Sequence, residues 1–290
     1  MEKRITATTR LLGLIGSPVG HSASPAMHNY SFEKRGIDYA YLAFDIKENQ
    51  VEEFFQSARL LNMRGFNATM PCKIETARLV DELSPASQII GACNTVVNEN
   101  GRFIGHNTDG VGFVKNLEAH GVSVKDKKIT LLGGGGAGMA IFAQVALDGA
   151  KEIRVFNRKG ENFTKLLEKR EKIREFVPDC EIQICDLMDE ALLHESVKQT
   201  DILINATSVG MAPGEDASLI TDLSVYREDL VVAEIIYNPL ETKMMRDAKA
   251  VGVKQIVGGK GMLLWQGAEG FKLWTGEEMP VEEVQKLFFR

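Results

Sequence analysis

Long apolar runs are missing from this chain. Apolar stretches such as residues 11–15 and 230–233 fall far short of the ~18 residues that a membrane-spanning helix needs. Lys3 and Arg4 lie early, but Gly16, Pro18 and Gly20 interrupt the following apolar stretch before a secretory signal core would form. Positive charge is also short, with 34 Lys+Arg against 40 Asp+Glu, a net charge of −6 and a pI near 5.5. No basic stripe is left over to neutralise a nucleic-acid backbone or to hold an anionic membrane surface, so neither is an expected partner. Cysteine is sparse: Cys72, Cys93, Cys180 and Cys185 form no CxxC pair and no disulfide framework. A chain of 290 residues buries a core without staples, so these read as reduced thiols of a cytoplasmic protein. The five histidines (21, 28, 106, 120 and 194) show no metal-ligand spacing, and no metal is expected.

What is present is a regular alternation of short β-branched runs with longer helical patterns. At about 150 residues per domain, the length suggests two domains. In the first part, residues 10–16 read as a strand, Ser24-Pro25 caps and opens a helix to Arg35, and 39–46 is a strand. Residues 51–61 are amphipathic, 63–69 form a strand, Pro71 starts a helix, and 94–107 read as a hairpin turned at Asn100-Gly101. Strands are then expected at 128–132, 152–156, 181–185, 201–205, 230–235 and 254–257, and the stretch 261–290 is helical. This alternation implies an α/β protein of two α/β domains, the second a doubly wound Rossmann-type parallel sheet, with a cleft between them. The expected division is 1–109 with 258–290, and 110–257. Ligands of such sheets bind beyond the carboxyl ends of the strands, so the loops that follow strands carry the functional information.

The strand at 128–132 is followed by Gly133-Gly134-Gly135-Gly136-Ala137-Gly138 and an apolar helix over 139–147. Gly133, Gly135 and Gly138 fit GxGxxG in the strand–turn–helix context that gives the motif its meaning. Gly133 allows the turn, Gly135 lets backbone approach a pyrophosphate, and the helix N-terminus offers free amides to the phosphates. The next strand ends in Asn157-Arg158-Lys159, where an NAD-selective site usually places an acidic residue for the ribose. Arg158 and Lys159 suit a 2′-phosphate instead, or Arg158 stacks on the adenine, while Glu161 opposes a phosphate if it points inward. The choice between NAD and NADP stays open on these residues.

Three strand-following loops of the first half are polar. The segment 16–25 carries Ser22 and Ser24, hydroxyls suited to a carboxylate or polyol, with Ser24 also read as a helix N-cap. The segment 67–73 ends in Lys73 at a helix start, where the dipole disfavours an ammonium and so favours a proton-accepting amine. The segments 91–95 and 105–110 bring Asn94 and Asp109, the latter able to cap a helix over 111–119. Singly, each residue has an ordinary structural reading. Beside a dinucleotide loop, three polar loops of one domain are expected to face the nicotinamide.

These motifs resemble those of the shikimate dehydrogenases, and within them the shikimate/quinate branch, essentially end to end. Gly-Ser-Pro-Val-Gly-His-Ser-Ala-Ser-Pro is similar to the family's substrate loop, which implies Ser22 and Ser24 as holders of the substrate carboxylate. Asn-Ala-Thr-Met-Pro-Cys-Lys resembles the catalytic loop, implying Lys73 as the catalytic lysine and Asn67 and Thr69 as substrate contacts. Asn94 and Asp109 match the hydroxyl-binding Asn and the lysine's Asp partner. Tyr237 and Gln266 fall on the remaining substrate positions. For the cofactor, the resemblance implies Gly133, Gly134, Gly135, Gly136 and Ala137, then Asn157, Arg158 and Lys159, then Thr207, Met211, Gly259 and Met262. Cys72 departs from the aromatic or His usual before the lysine, and bears on the pocket edge. A second basic residue usual in strictly NADP-dependent members is missing, so NAD is expected to be accepted and NADP to be usable.

The implied reaction is reversible hydride transfer between a nicotinamide and the C3 carbinol of shikimate, extending to quinate, in aromatic amino-acid biosynthesis or quinate use. Lys73 takes or gives the hydroxyl proton, and Asp109 bonds the reacting or neighbouring hydroxyl and fixes the lysine. A methylene-tetrahydrofolate-type dehydrogenase is the alternative enzyme, disfavoured by the paired serines and by few aromatics on these loops. A non-catalytic regulator that binds shikimate or quinate is the alternative outside enzymes. No heptad or repeated interface pattern fixes the assembly, and a homodimer is left as an open expectation.

Overall fold

The computed structural model describes residues 5–289. The chain divides into two compact units, one of residues up to Thr108 together with those from Leu264 on, the other Asp109–Leu263.

The first unit holds β1 (Arg10–Gly16), α1 (Ser24–Arg35), β2 (Tyr39–Asp45), α2 (Val51–Leu60), β3 (Gly65–Ala68), α3 (Lys73–Leu79), β4 (Glu82–Leu83), α4 (Pro85–Ile90), β5 (Thr95–Glu99) and β6 (Arg102–His106). Its six strands run in the order β2-β1-β3-β5-β6-β4. The sheet is mixed: β1 lies parallel to β2 and β3, whereas β5 is antiparallel to β3 and β6. The β5–β6 hairpin turns where read, because Asn100 and Gly101 both take positive φ (54° and 91°), as a two-residue turn matched to strand twist requires. One apolar cluster joins α1 to Leu264, Phe271, Trp274 and Val284, and another packs Val51, Phe55 and Ala58 against Phe66, Cys72 and Phe103. Trp274 is buried and its indole N–H donates to the Val96 carbonyl at 2.9 Å, tying the late helix to β5.

The second unit holds α5 (Thr108–Ala119) after its first residue, β7 (Lys128–Leu132), α6 (Gly136–Leu147), β8 (Glu152–Asn157), α7 (Glu161–Phe176), β9 (Glu181–Asp186), α8 (Glu190–Gln199), β10 (Ile202–Asn205), β11 (Val231–Glu234), α9 (Lys243–Ala250) and β12 (Gln255–Val257). Its strands run β12-β11-β10-β7-β8-β9 and every pair is parallel. Read from the other edge, this is the doubly wound order 3-2-1-4-5-6, with the crevice at the switch point beside β7. The chain closes with α10 (Lys260–Thr275) and α11 (Val281–Phe288).

Several sequence expectations shift. Ser24 is not an N-cap: Ala23 takes that position without a side-chain bond, and Ser22 Oγ instead accepts from the Ser24 N–H at 3.2 Å. Asp109 lies inside the first turn of α5 rather than before it. The helix expected at Pro71 starts at Lys73, after a turn in which the Cys72 N–H bonds to the Thr69 carbonyl at 2.8 Å. The later unit boundary falls at 263/264 rather than 257/258. The reason is local: Asn116 of α5 donates to the Gly258 carbonyl at 3.0 Å, and a side chain at Gly261 would run into Asn116.

Candidate active site

In the first unit two polar loops follow β1 and β3, and the third joins the segment before β5, which carries Asn94, to the end of β6. Gly16 lets two of them lie together. At φ 157° it has no side chain, and any Cβ would collide with Thr69 and approach the Met70 carbonyl to 2.9 Å. Backbone bonds fill that space: Ser17 N–H to Met70 O at 3.1 Å and Thr69 N–H to Ile15 O at 2.8 Å. The serine loop (Ser22, Ser24) and the loop of Thr69 and Lys73 are thereby laced along one another. All four residues are partly exposed.

The third loop is held from beneath. Asn94 is 3% exposed, and its Oδ1 accepts from the Thr108 N–H (2.9 Å), the Thr95 hydroxyl (3.0 Å) and the Thr108 hydroxyl (3.2 Å). Asn67, also buried, donates from Nδ2 to the Asn94 carbonyl (3.0 Å) and Thr95 Oγ1 (2.9 Å), while its Oδ1 accepts from the Tyr41 hydroxyl at 2.6 Å. Asn67 therefore braces Asn94 and Thr95 with both of its amide hydrogens. Tyr41 in turn stacks on His28 with ring centroids 4.6 Å apart. That aromatic layer fully buries His28 and pushes its imidazole down to about 3, so it is neutral at physiological pH.

Lys73 is the first residue of α3, and its carbonyl accepts from the Cys93 N–H at 3.1 Å. Burial pushes the Cys93 thiol up to about 12 while the Lys73 ammonium opposes that rise. Cys72 turns the other way. It is fully buried in the α2–β3 cluster, and its thiol donates to the Ile46 carbonyl at 3.2 Å, so it forms core rather than pocket edge. Gln266 sits on α10 next to Gly267, where a Cβ would press on Met27 of α1.

In the second unit the glycine turn has two kinds of glycine. Gly133 (φ 100°), Gly134 and Gly138 are needed for packing: a Cβ on them would meet Ala206 and Thr207, Leu166, and the Gly133 carbonyl respectively. Gly135 and Gly136 meet nothing within 4 Å. They border open space at the N-terminus of α6, whose first amides lack helical partners, and this cradle fits a pyrophosphate. Asn157 stabilises it, its Oδ1 accepting from the Gly134 N–H at 3.0 Å.

After β8, where the sequence reading expects the ribose, the charges are paired locally. Lys159 binds Asp186 at 3.2 Å, and Glu161 binds Lys165 one turn along α7 at 2.5 Å. The Glu161 carboxylate is 80% exposed, and the Lys165 bond holds it below the usual glutamate range. The opposition to a 2′-phosphate that its charge suggests is thus largely offset. Arg158 is exposed and has no ion pair among the described residues.

Two family models match the chain: the shikimate dehydrogenase substrate binding domain over residues 14–96, and the shikimate 5′-dehydrogenase C-terminal domain over 259–287. A shikimate dehydrogenase (NADP(+)) of Streptococcus uberis is 47% identical over all of this chain and 98% of its own. The chain belongs to the shikimate dehydrogenase family. Among solved structures, the shikimate 5-dehydrogenase of Listeria monocytogenes in complex with shikimate and NAD is 41% identical at a TM-score of 0.95, covering 100% of this chain and 99% of that one. The quinate dehydrogenase of Corynebacterium glutamicum in complex with NAD is 27% identical at a TM-score of 0.84, covering 97% and 99%.

This family member distributes its sequence-predicted residues over both units. Ser22, Ser24, Asn67, Thr69, Lys73, Asn94 and Gln266 belong to the first, and Asp109, Tyr237 and the cofactor positions to the second. Tyr237 and Met211 are about half exposed, and Thr207 partly so. Gly259 and Met262 are buried, and Gly259 lies so close to the Ile235 and Ile236 backbone that no side chain fits. Sequence reasoning passed over Tyr41, Asp186 and Glu234. Glu234 left a signal, a lone charge inside the apolar strand 230–235.

Proposed function

We propose that this chain is an NAD(P)-dependent shikimate dehydrogenase that interconverts shikimate and 3-dehydroshikimate and extends to quinate. The observation that carries the reading is the lacing of the serine loop to the Lys73 loop around Gly16, with the braced Asn94 in the same unit. Those loops present hydroxyl, amide and ammonium groups, the set that a carboxylated polyol requires. The likeness to the Listeria enzyme in complex with shikimate and NAD supports it.

In this reading Ser22 and Ser24 hold the carboxylate, and Thr69, Asn94, Tyr237 and Gln266 contact the ring hydroxyls. The dinucleotide, when bound, supplies the hydride acceptor, and Gly133–Ala137, Asn157, Arg158, Thr207 and Met211 hold it. Lys73 takes the C3 hydroxyl proton as the C–H bond yields its hydride, and as ammonium it stabilises alkoxide character on that oxygen. Asp109 accepts a hydrogen bond from the reacting or neighbouring hydroxyl and orients the lysine. In the reverse direction Lys73 returns the proton to the carbonyl oxygen. Four free, buried cysteines support a cytoplasmic setting.

The test is nicotinamide absorbance with shikimate and quinate against NAD and NADP. Turnover of shikimate with either cofactor is expected. Tight binding of shikimate without turnover under any pairing would make the chain a sensor.

A further inference from the structure

We propose that Glu234 is a positioning residue for the dinucleotide: its carboxylate ties the end of β11 to the loop after β10 and holds that loop where the glycine turn needs it. This rests on the reading that residues 207–211 line the cofactor.

Asn205 and Glu234 are the last residues of neighbouring parallel strands and stand in register. Both are buried, Glu234 completely. The carboxylate accepts from Asn205 Nδ2 at 3.0 and 3.1 Å, from the Thr242 hydroxyl at 2.7 Å, and from the Ile236 backbone N–H. Every one of these neighbours is a donor, so the pocket is shaped for an acceptor with lone pairs on both oxygens. Asn205 passes the constraint forward. Its second amide hydrogen goes to the Val209 carbonyl (3.1 Å), and its Oδ1 accepts from the Thr207 N–H (3.0 Å) and hydroxyl (2.7 Å). Thr207 Oγ1 then accepts from the Val209 N–H at 3.0 Å, which closes the loop on itself. Gly133 packs directly on Ala206 and Thr207, where a Cβ would come within 2.8 Å of both. The loop clamped from Glu234 is therefore the floor of the dinucleotide turn. Thr242 anchors the other side as the N-cap of α9, accepting from the Met245 N–H while donating to Glu234.

A buried acid that merely filled space would tolerate an amide of the same shape. The geometry points to more. In Glu234→Gln one acceptor oxygen becomes an NH2 group, so either the Asn205 amide meets another donor or the Thr242 hydroxyl must rotate to accept, and one of the clamp's bonds is lost or reversed. Dinucleotide affinity by calorimetry is expected to weaken about tenfold in Glu234→Gln, while shikimate KM stays within about twofold. Thr242→Val, which removes one donor, should weaken it in the same direction, and Thr242→Ser, which keeps the hydroxyl, should restore it. If Glu234→Gln does not fold, the Thr242 pair carries the test alone. Glu234→Gln or Thr242→Val binding the dinucleotide as tightly as the parent overturns the inference while leaving the proposed activity standing. A parent chain that binds neither NAD nor NADP overturns both.

Discussion

Gly135→Val separates a ligand cradle from a structural turn, because the structure assigns different work to neighbouring glycines. Gly135 is the N-cap of α6 at φ −73° and ψ −173°, backbone that any residue adopts, and a Cβ there meets no protein atom. Replacing a glycine N-cap with an aliphatic residue costs on the order of 1 kcal/mol. The stiffer unfolded chain offsets about 0.4–1 kcal/mol of that. Net stability should move by less than about 1 kcal/mol, a Tm change of roughly 2–4 °C at most for a unit of this size. Binding should respond far more. A hydrogen bond to a charged group contributes about 1.5–3 kcal/mol, and an isopropyl group in the open space blocks phosphate approach to at least one α6 amide. At about 1.4 kcal/mol per tenfold, that predicts a ten- to hundredfold loss of dinucleotide affinity. Gly134→Val is the control, since its Cβ would press into the fully buried Leu166, with Leu166 Cγ at 2.9 Å. Overpacking of that kind costs about 1–3 kcal/mol. Calorimetry and thermal melts on both variants decide it. Gly135→Val retaining affinity within about threefold of the parent would refute the cradle.

Lys73→Ala should lower kcat by ~10² or more, the range for losing a general acid–base group, with shikimate still bound in equilibrium titrations; near-parental turnover would remove Lys73 from the chemistry. Asp186→Asn frees Lys159 from its ion pair and Glu161→Arg frees Lys165 while adding a cation, so both should raise the NADP/NAD ratio of kcat/KM several-fold. Steady-state kinetics with both cofactors decide it, and an unchanged ratio in both variants would refute the electrostatic account. Burial pushes Glu234 up to about 7 from an ordinary 4.5, outweighing the surrounding donors that favour its carboxylate, so the folded chain holds that proton more tightly than the unfolded one. The resulting stability is fully present below about 4.5 and is lost as pH rises through about 7, on the order of 3 kcal/mol. Melting curves of Glu234→Gln across that window should show a flatter pH dependence than the parent, and parallel curves would contradict the assignment.

How far the chain could be read before its structure depended on how local each cause was. β1 and β7 come out residue for residue because apolar runs bounded by glycine leave no other reading, and the Asn100-Gly101 hairpin follows from two positive φ values that few pairs accept. β4 escaped because two residues carry no periodicity, and its partner β6 lies twenty residues away. The mixed pairing of the first sheet escaped for the same reason. Nothing in residues 65–68 says that β5, rather than a parallel strand, lies beside them. Ser24 shows a local rule yielding to a neighbour: the capping pattern was genuine, but Ser22 supplies the oxygen and Ser24 the N–H.

The site itself was legible as a set of residue types and illegible as a set of partners. Glycines that must be glycine reveal themselves by spacing, yet spacing alone does not distinguish Gly134, which Leu166 requires, from Gly135, which no protein neighbour requires. Charges behave alike. Arg158, Lys159 and Glu161 sum to one net positive charge along the sequence, but folding brings Asp186 from the end of β9 to Lys159 and turns Glu161 onto Lys165. Of the three, Arg158 alone is without an ion pair among the described residues, and its guanidinium suits stacking on an adenine as well as pairing with a 2′-phosphate. A cofactor end governed by one such group discriminates weakly, because the same side chain offers a favourable contact to either dinucleotide. The breadth of cofactor use expected for this chain thus follows from which charges folding pairs off, and that pairing is set by the parallel register of β8 and β9, where Asn157 stands opposite Asp186.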